Sequence, residues 1–275
     1  MKYLITNADD FGFTRDVNDG IVHAHRQGIL TAATLMATGA AFDHAVALAK
    51  ENPNLDIGVH LVLVGSPGYP PTVSALIKAI SLRRIRIYDE LASQIRKVLD
   101  AGIRPSHLDT HKHAHLLPPV LDAVARLAQE FRIPWVRRPF DLPIHAGGVS
   151  WKTRVASRSF SLVRGRFHRV LTARGCRTTD HFAGFRITGR YGAAELARLI
   201  AGLPEGSTEF MCHPGFCSAE LLAARTRLKE SRRQELDALL SAEVRDAIRK
   251  SRVQLSNYMS LLDIQVTSPL QDRES

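Results

Sequence analysis

The chain has 275 residues, a net charge of +10 and 45% hydrophobic residues, which suits one large α/β domain and excludes a disordered chain, a fibre or a repeat array. It contains no apolar run of 18 residues, and two aspartates interrupt its apolar start, which argues against a membrane span and a signal peptide. Three cysteines without metal-ligand spacing predict free thiols, and together these features predict a cytoplasmic protein.

Short apolar runs alternate with helical patterns along the chain, which predicts βα units around a parallel sheet. In chain order, the predicted strands cover residues 2–8, 31–38, 55–64, 106–110, 133–137, 208–213 and 253–257. The predicted helices cover residues 16–28, 42–51, 88–101, 118–131, 195–203 and 221–250. No linker divides this pattern. Because reactive segments follow several of these strands, as at the catalytic face of a barrel, we expect an irregular (β/α) barrel of mostly parallel strands.

Two adjacent carboxylates, Asp9 and Asp10, come directly after the first predicted strand. Neighbouring strand residues point to opposite faces, but at a strand end the chain turns and both side chains can reach one pocket. Two carboxylates in one pocket suit metal binding by one and proton transfer by the other. The structural alternative is a pair of residues that cap the following helix.

Four of the twelve histidines lie within nine residues, at positions 107, 111, 113 and 115. Solvated surface rarely carries such a cluster, and neutral imidazole is the commonest metal ligand. His60 lies inside an apolar run, where its ring is either a ligand or a core histidine with a hydrogen-bond partner. His213 precedes Pro-Gly at a strand end, a position that suits either a general acid or a turn-stabilising residue.

In this order and spacing, the segments at residues 7–12, 58–61, 107–115 and 211–215 resemble those of the YdjC-like carbohydrate deacetylase family, most closely its branch associated with hopanoid biosynthesis. The resemblance implies the irregular barrel of that family and a metal ion bound by Asp10, His60 and His111. By similarity to the wider polysaccharide deacetylases, Asp9 is expected to be the general base and His213 the general acid.

This resemblance implies removal of an acetyl group from an N-acetylated sugar. The expected substrate is an N-acetylglucosaminyl hopanoid lipid, with a chitooligosaccharide as the alternative. Family descriptions often name magnesium, but two imidazoles and one carboxylate favour Zn²⁺, Fe²⁺, Co²⁺ or Mn²⁺ over Mg²⁺, so we expect one divalent metal ion, with zinc favoured. His113 and His115 are expected to contact the substrate or to orient the ligands.

The resemblance covers residues 1–262 as one domain and leaves a tail at 263–275. Within the domain, no acidic residue occurs between Asp141 and Asp180, while apolar residues follow a helical spacing. We therefore predict a basic helical insertion at about 145–178 that either packs on the barrel or lies on an anionic membrane surface, which would make the protein peripheral to the inner face of the membrane. In the membrane alternative, a lipid route is flanked by Phe160 and Phe167 on one wall and by Leu76, Ile77 and Ile80 on the other.

Two other functions stay open. The positive charge suits a metal-dependent phosphoesterase or nuclease, because phosphates need cationic neutralisation. Aromatic residues make up only 7% of the chain, however, and no interleaved aromatic and basic groove is present, so we expect no nucleic-acid partner. A non-catalytic binding protein ranks last because Asp9 and His213 are both present. Homo-oligomer formation, the sugar length and the aglycone are open.

Overall fold

The computed structural model describes residues 1–142 and 164–267. Within these ranges the strands are β1 (Lys2–Phe11), β2 (Ala32–Leu35), β3 (Asp56–Leu61), β4 (His107–Thr110), β5 (Trp135–Val136), β6 (His181–Ala183), β7 (Gly206–Cys212) and β8 (Val253–Leu255). They form one parallel sheet in the order β5-β4-β3-β2-β1-β7-β6, and β8 pairs with the start of β1. All carboxyl ends of the strands therefore point to the same rim of the sheet.

Helices lie between consecutive strands throughout the described part of the chain. They span Arg15–Gln27, Phe42–Glu51, Val73–Ser81, Ile87–Asp100, Pro118–Glu130, Arg164–Ala173, Ala193–Ala201, Ala219–Ala223, Glu230–Leu240, Ala242–Lys250 and Tyr258–Thr267, with a 3₁₀ helix at His111–Leu116. β1 is buried continuously from Leu4 to Phe11. A strand covered on both faces in this way reads as an apolar run rather than as an alternating pattern.

The two edges of the sheet are joined by isolated contacts. The Val136 N–H donates to the Arg177 carbonyl at 2.9 Å, and the Leu142 N–H donates to the Phe182 carbonyl at 2.7 Å. Parallel bridges between these same two segments continue the contact. The sheet thus curls into an incomplete barrel, which confirms the predicted fold class.

Several elements differ from the predicted ones. β6 and the helices Val73–Ser81 and Tyr258–Thr267 were not predicted, and the last of these continues past the tail boundary expected at residue 262. The predicted helix at 221–250 is broken into three. One break falls at Ser241, whose hydroxyl accepts a hydrogen bond from the Val244 N–H at 3.2 Å and so begins a new helix.

Only part of the predicted basic insertion, the helix Arg164–Ala173, lies within the described residues; Phe160 lies outside them. Phe167 is 1% exposed and packs edge-on against Phe140 and next to His115. Leu171 is buried beside it. The described helix packs on the barrel through its apolar side, and the placement of Phe167 beside a lipid route stays a prediction. No described helix is both long and apolar enough to cross a bilayer.

Candidate metal centre and active site

Three predicted ligands meet at the carboxyl rim of the sheet. Asp10 lies near the end of β1 with φ of 67°, a left-handed conformation that turns its side chain out of the strand register. His60 lies near the end of β3, and His111 follows β4 directly. Strands β1 and β3 both pair with β2, and β4 pairs with β3, so the fold brings the three side chains together from distant parts of the chain.

These three side chains form a compact set, which we call the metal triangle (Asp10, His60 and His111). Asp10 Oδ1 lies 3.4 Å from His60 Nε2 and 3.4 Å from His111 Nδ1, and the two ring nitrogens are 3.1 Å apart. Separations of this size are expected for three ligand atoms that bind the same zinc-like ion at about 2.0–2.2 Å. Asp10 Oδ1 is buried without a hydrogen-bond partner in the described structure, which is costly unless a cation binds there. The donor set therefore fits a divalent metal ion.

His60 is oriented by the carboxylate behind it. Its Nδ1–H donates to Asp109 Oδ1 at 2.7 Å, which leaves Nε2 facing the metal triangle. A carboxylate that holds the far side of a ligating imidazole is a recurrent feature of metal sites. Burial alone would lower the pKa of His60, but the charge and hydrogen bond of Asp109, together with the charges of Asp9 and Asp10, outweigh burial and raise that pKa to about 9. A metal ion at Nε2 therefore competes with a proton.

Arg137 holds the second half of the site, which we call the carboxylate cluster (Arg137, Asp9, Asp109 and Glu209). Its Nη1 and Nη2 donate to the two oxygens of Asp9 at 2.7 and 2.6 Å, and its Nε donates to Glu209 Oε1 at 2.6 Å. Nη1 also contacts Asp109. Asp9, His60 and Asp109 are close enough together to form a second metal-binding group, but the Arg137 guanidinium already neutralises its carboxylates.

The partners of Arg137 differ in the net shift of their pKa. Burial alone would raise the pKa of Asp9, but Arg137 outweighs it and holds that pKa well below its usual value, so Asp9 is ionised at neutral pH. For Glu209, burial outweighs Arg137 and raises the pKa to about 7. Asp9 is therefore an ionised carboxylate at the cavity wall.

His213 follows β7 and faces Asp9. Its Nε2 lies 3.9 Å from Asp9 Oδ2, its backbone N–H donates to Glu235 at 2.6 Å, and its buried Nδ1 has no partner in the part of the chain described. Burial lowers the pKa of His213, so the ring is neutral at pH 7. The turn is held tightly by the helix Arg15–Gln27, because a Cβ on Gly20 would lie 2.5 Å from the Gly215 Cα.

The predicted substrate histidines take different roles. His113 is in the left-handed conformation, lines the same cavity as the metal triangle and leaves its buried Nδ1 unpartnered within the described residues. His115 is fully buried, with Nδ1 2.6 Å from the Thr110 hydroxyl and Nε2 3.1 Å from the Arg137 carbonyl. His113 thus lines the cavity, whereas His115 is held in the core beside the Arg137 backbone.

One cavity of about 610 Å³ unites the metal triangle with Asp9, His113 and His213. Its other walls include the cationic residues Lys112, Arg225, Arg227 and Arg232. Sequence reasoning did not identify Arg137 or Arg232 as part of the site. The only available signal for Arg137 was a charged residue at the end of an apolar predicted strand.

Comparison with known proteins agrees with this geometry. The family model described as YdjC-like protein matches residues 3–250. The chain belongs to the YdjC-like family. Two relatives with the curated name carbohydrate deacetylase align over nearly their whole length: one from Brevibacillus brevis is 34% identical, covering 94% of this chain and 99% of its own, and one from Clostridium beijerinckii is 31% identical with the same coverage.

A solved structure gives the same result at the level of the fold. A protein from Enterococcus faecalis, to which cellobiose-phosphate cleavage has been provisionally assigned, superposes with a TM-score of 0.72 and 27% identity, covering 94% of this chain and 98% of its own. The lactam utilization protein of Thermus thermophilus reaches a TM-score of 0.50 at 15% identity, covering 93% and 99%, and so shares the fold alone. The YdjC-like membership therefore rests on both sequence and architecture, whereas the hopanoid-associated branch is not distinguished by these comparisons.

Proposed function

We propose that this protein is a metal-dependent hydrolase that removes the N-acetyl group from an N-acetylated sugar. The observation that carries the proposal is the metal triangle, placed in one cavity with Asp9 and His213. The curated names of the two relatives, carbohydrate deacetylases that align over nearly the whole chain, support the same reaction. Asp10, His60 and His111 are its metal ligands, and Asp9 and His213 are its proton-transfer residues.

The reaction needs a polarised carbonyl and a deprotonated water, since an amide is a poor electrophile. A divalent cation held by the metal triangle supplies both effects. Asp9, ionised and at the cavity wall, accepts the proton that the attacking water loses. His213 then protonates the leaving nitrogen, without which the carbon–nitrogen bond does not break.

Asp9 and His213 differ in basicity, which bears on the transfer of this proton between them. Asp9 is the weaker base of the pair, because Arg137 holds its pKa well below the usual carboxyl range, whereas burial lowers the pKa of His213 from the higher value of an imidazole. The two side chains are 3.9 Å apart, so the proton that Asp9 accepts can pass to the neutral imidazole. The sugar amine is more basic still and receives it last. His213 thus acts as the acid after being charged during the reaction.

We further propose zinc as the native metal, because two imidazole nitrogens and one carboxylate oxygen suit Zn²⁺ better than Mg²⁺. The chelator-treated protein should show no activity. Stoichiometric addition of Zn²⁺ should restore it, and Mg²⁺ should restore less at equal occupancy. Full recovery with Mg²⁺ at micromolar concentration, and none with Zn²⁺, would contradict this assignment.

The deacetylase proposal is tested by measuring acetate and free amine after incubation with N-acetylated sugars. The panel contains an N-acetylglucosaminyl hopanoid, diacetylchitobiose and N-acetylglucosamine, with bis(p-nitrophenyl) phosphate to test the phosphoesterase alternative. Equimolar acetate and amine, lost in Asp9→Asn and His213→Ala, are the expected result. Phosphodiester cleavage that depends on the metal triangle, with no acetate from any sugar, would overturn the proposal.

A glycolipid substrate is the finer proposal, and a surface beside the cavity supports it. Lys112, at the cavity wall, donates through Nζ to the Pro71 carbonyl at 3.3 Å, next to the start of the helix Val73–Ser81. Along this helix and the following turn Ile77 is 46% exposed and Leu82 is 50% exposed. Exposed Lys78, Arg83 and Arg84 surround them, and no acidic residue occurs between Asp56 and Asp89.

Exposed apolar side chains among cations are typical of a helix that lies in an anionic membrane interface, where each cation contributes about 1 kcal/mol. This surface differs from the one expected at Phe167. Of the three residues predicted for the other wall of the lipid route, Ile77 is exposed, Ile80 is half-buried and Leu76 is fully buried. We therefore place the membrane-facing side of the enzyme at residues 73–86, beside the cavity.

Co-sedimentation with phosphatidylglycerol vesicles tests the surface separately from the chemistry. The intact protein should bind at low salt and dissociate as salt rises. The triple variant Lys78→Glu, Arg83→Glu, Arg84→Glu should lose binding, whereas Lys50→Glu, Arg104→Glu, Lys250→Glu, with the same change of charge at other exposed positions, should retain it. Equal binding by both variants would remove the support for a glycolipid.

A further inference from the structure

Arg232 is a buried cation in the site that belongs to none of the four sequence segments. It lies on the helix Glu230–Leu240, is 1% exposed, and its Nη2 donates to Asp10 Oδ2 at 2.5 Å. This contact uses Oδ2, whereas Oδ1 is the oxygen that lies near His60 and His111. Arg232 thereby fixes the carboxylate so that only Oδ1 is offered to a metal ion.

The rest of the side chain is held from several directions. The Arg232 Nε donates to the Leu228 carbonyl at 3.4 Å, and the guanidinium carbon lies 5.8 Å from the centre of the Phe13 ring. The Arg232 carbonyl accepts from the Gly215 N–H at 3.2 Å, in the turn that follows His213. The guanidinium is therefore fixed between the metal ligand Asp10 and the turn that carries the proposed acid.

One end of this guanidinium has no partner. Nη1 is buried and makes no hydrogen bond within the described ranges, yet Arg232 lines the cavity together with Asp10, His111 and His213. A buried donor that is left unpaired destabilises the protein, and a charged one does so more than a neutral one. Arg137 differs in this respect, because its Nε, Nη1 and Nη2 all donate to protein carboxylates. Arg232 is therefore a residue of the cavity wall that has a donor without a partner in the described structure.

We propose that Arg232 is a substrate-binding residue whose Nη1 donates to the carbonyl oxygen of the acetyl group. The inference rests on the proposed deacetylase function. When the water oxygen bonds to the carbonyl carbon, the π electrons move to the carbonyl oxygen, and the negative charge there strengthens its hydrogen bond to a fixed cation. As the carbon–nitrogen bond breaks, a lone pair on the oxyanion re-forms the carbonyl π bond, the electrons of the broken bond go to nitrogen, and the nitrogen takes the proton from His213. Arg232 keeps all its protons.

This role differs from orientation of Asp10 alone. An orienting residue affects metal affinity, whereas a substrate-binding residue also affects turnover and product binding when the metal is saturating. Loss of one donor to such an oxyanion typically lowers kcat by about 10²–10³-fold. Acetate, the product, retains the oxygen that Nη1 contacts, so acetate affinity reports the interaction without any turnover.

The test compares Arg232→Met and Arg232→Lys with Arg233→Met, a matched control whose side chain is 56% exposed on the same helix. Circular dichroism establishes folding, zinc titration gives metal affinity, and calorimetry at saturating Zn²⁺ gives acetate affinity. Lysine can pair with Asp10 but cannot donate from two nitrogens, so Arg232→Lys should retain zinc. In both Arg232 variants acetate affinity should fall at least tenfold and kcat about 10²–10³-fold, with Arg233→Met unchanged.

The two proposals fail in different ways. Acetate affinity that is equal in the zinc-saturated wild type and Arg232→Lys would overturn the role of Arg232, even if sugars are deacetylated normally. No acetate release from any sugar, with acetate affinity still dependent on Arg232, would overturn the deacetylase function and leave the oxygen-binding role of Arg232 in place.

Discussion

The metal triangle and the carboxylate cluster lie side by side, each contains a buried aspartate held by an arginine, and they differ in how that aspartate is paired. In the carboxylate cluster, Arg137 donates to both oxygens of Asp9, and both oxygens of Asp109 also have partners. In the metal triangle, Asp10 shares one oxygen with Arg232 and leaves Oδ1 without a donor in the described structure. The first arrangement supports the site, and the second leaves room for a ligand.

Adjacent positions in the sequence thus have opposite roles. Asp9 and Asp10 are both buried and both face an arginine, so residue type and burial do not separate them. The two residues are distinguished by the left-handed backbone at Asp10 and by its single contact from Arg232. The pairing of these two aspartates distinguishes the two sides of the site; an unpaired atom alone does not, since Glu209 Oε2 is also buried without a partner within the described residues.

The largest effect is expected from removal of a triangle histidine. His60→Ala or His111→Ala should weaken zinc binding by more than about 100-fold and reduce deacetylation to background, since even loss of a ligand-orienting partner costs about 10–100-fold. Zinc titration and acetate release measure the two effects. His23→Ala, on the exposed side of the first helix, is the control. Full zinc occupancy in either variant would rule out the ligand set.

On the other side of the comparison, Asp9→Asn should leave zinc binding intact and reduce kcat by about 10²–10⁴-fold, because an amide accepts no proton. The asparagine oxygen still accepts from Arg137, whose charge keeps Asp109 and Glu209 as partners. Zinc titration together with initial rates separates binding from turnover. Near-normal turnover would show that another group is the base.

Arg137→Met tests whether the carboxylate cluster supports the fold. Removing the cation leaves buried carboxylates without compensation, and breaking a buried ion pair costs about 3–5 kcal/mol of unfolding free energy. Urea unfolding should show this loss, whereas Arg233→Met should change stability by less than about 0.5 kcal/mol. An Arg137→Met variant as stable as the wild type would mean that the cluster is not a stabilising unit.

The smallest effect is expected at Asp109, where the metal triangle and the carboxylate cluster meet. Asp109 belongs to the carboxylate cluster but also holds the Nδ1–H of His60. Asp109→Asn should weaken zinc affinity by about 10–100-fold without abolishing it, because the ligand remains and only its orientation is lost. Calorimetric zinc titration measures this directly. A zinc affinity unchanged within twofold would show that Asp109 serves Arg137 alone.

The sequence was sufficient to predict the metal triangle because its members are close to strand ends in a parallel sheet, where side chains from distant segments converge. Arg137 and Arg232 were missed because their partners lie 128 and 222 positions away, and an arginine carries no local signal of such a partner. His113 and His115 could not be distinguished either. The left-handed turn at Lys112 and His113 directs the His113 ring to the cavity and the His115 ring to the core. Because this turn contains no glycine, the sequence does not indicate it.

The prediction for Phe167 also rests on a pattern with two interpretations. A helical stripe of apolar residues among arginines describes both a membrane-facing helix and a helix that packs on a barrel. The contacts of Phe167 with Phe140 and His115 show that the helix packs on the barrel, and such contacts depend on tertiary structure. The strand pattern, in contrast, depends on burial along each segment and was predicted almost completely.

The central claim is that the unpaired side of the cavity holds the metal ion, and anomalous X-ray scattering at the zinc edge of zinc-loaded crystals tests it most directly. The account predicts one strong peak about 2.0–2.2 Å from Asp10 Oδ1, His60 Nε2 and His111 Nδ1. A peak bound by Asp9 and Asp109 in place of Arg137, or a fully loaded crystal with no peak at the triangle, would contradict it.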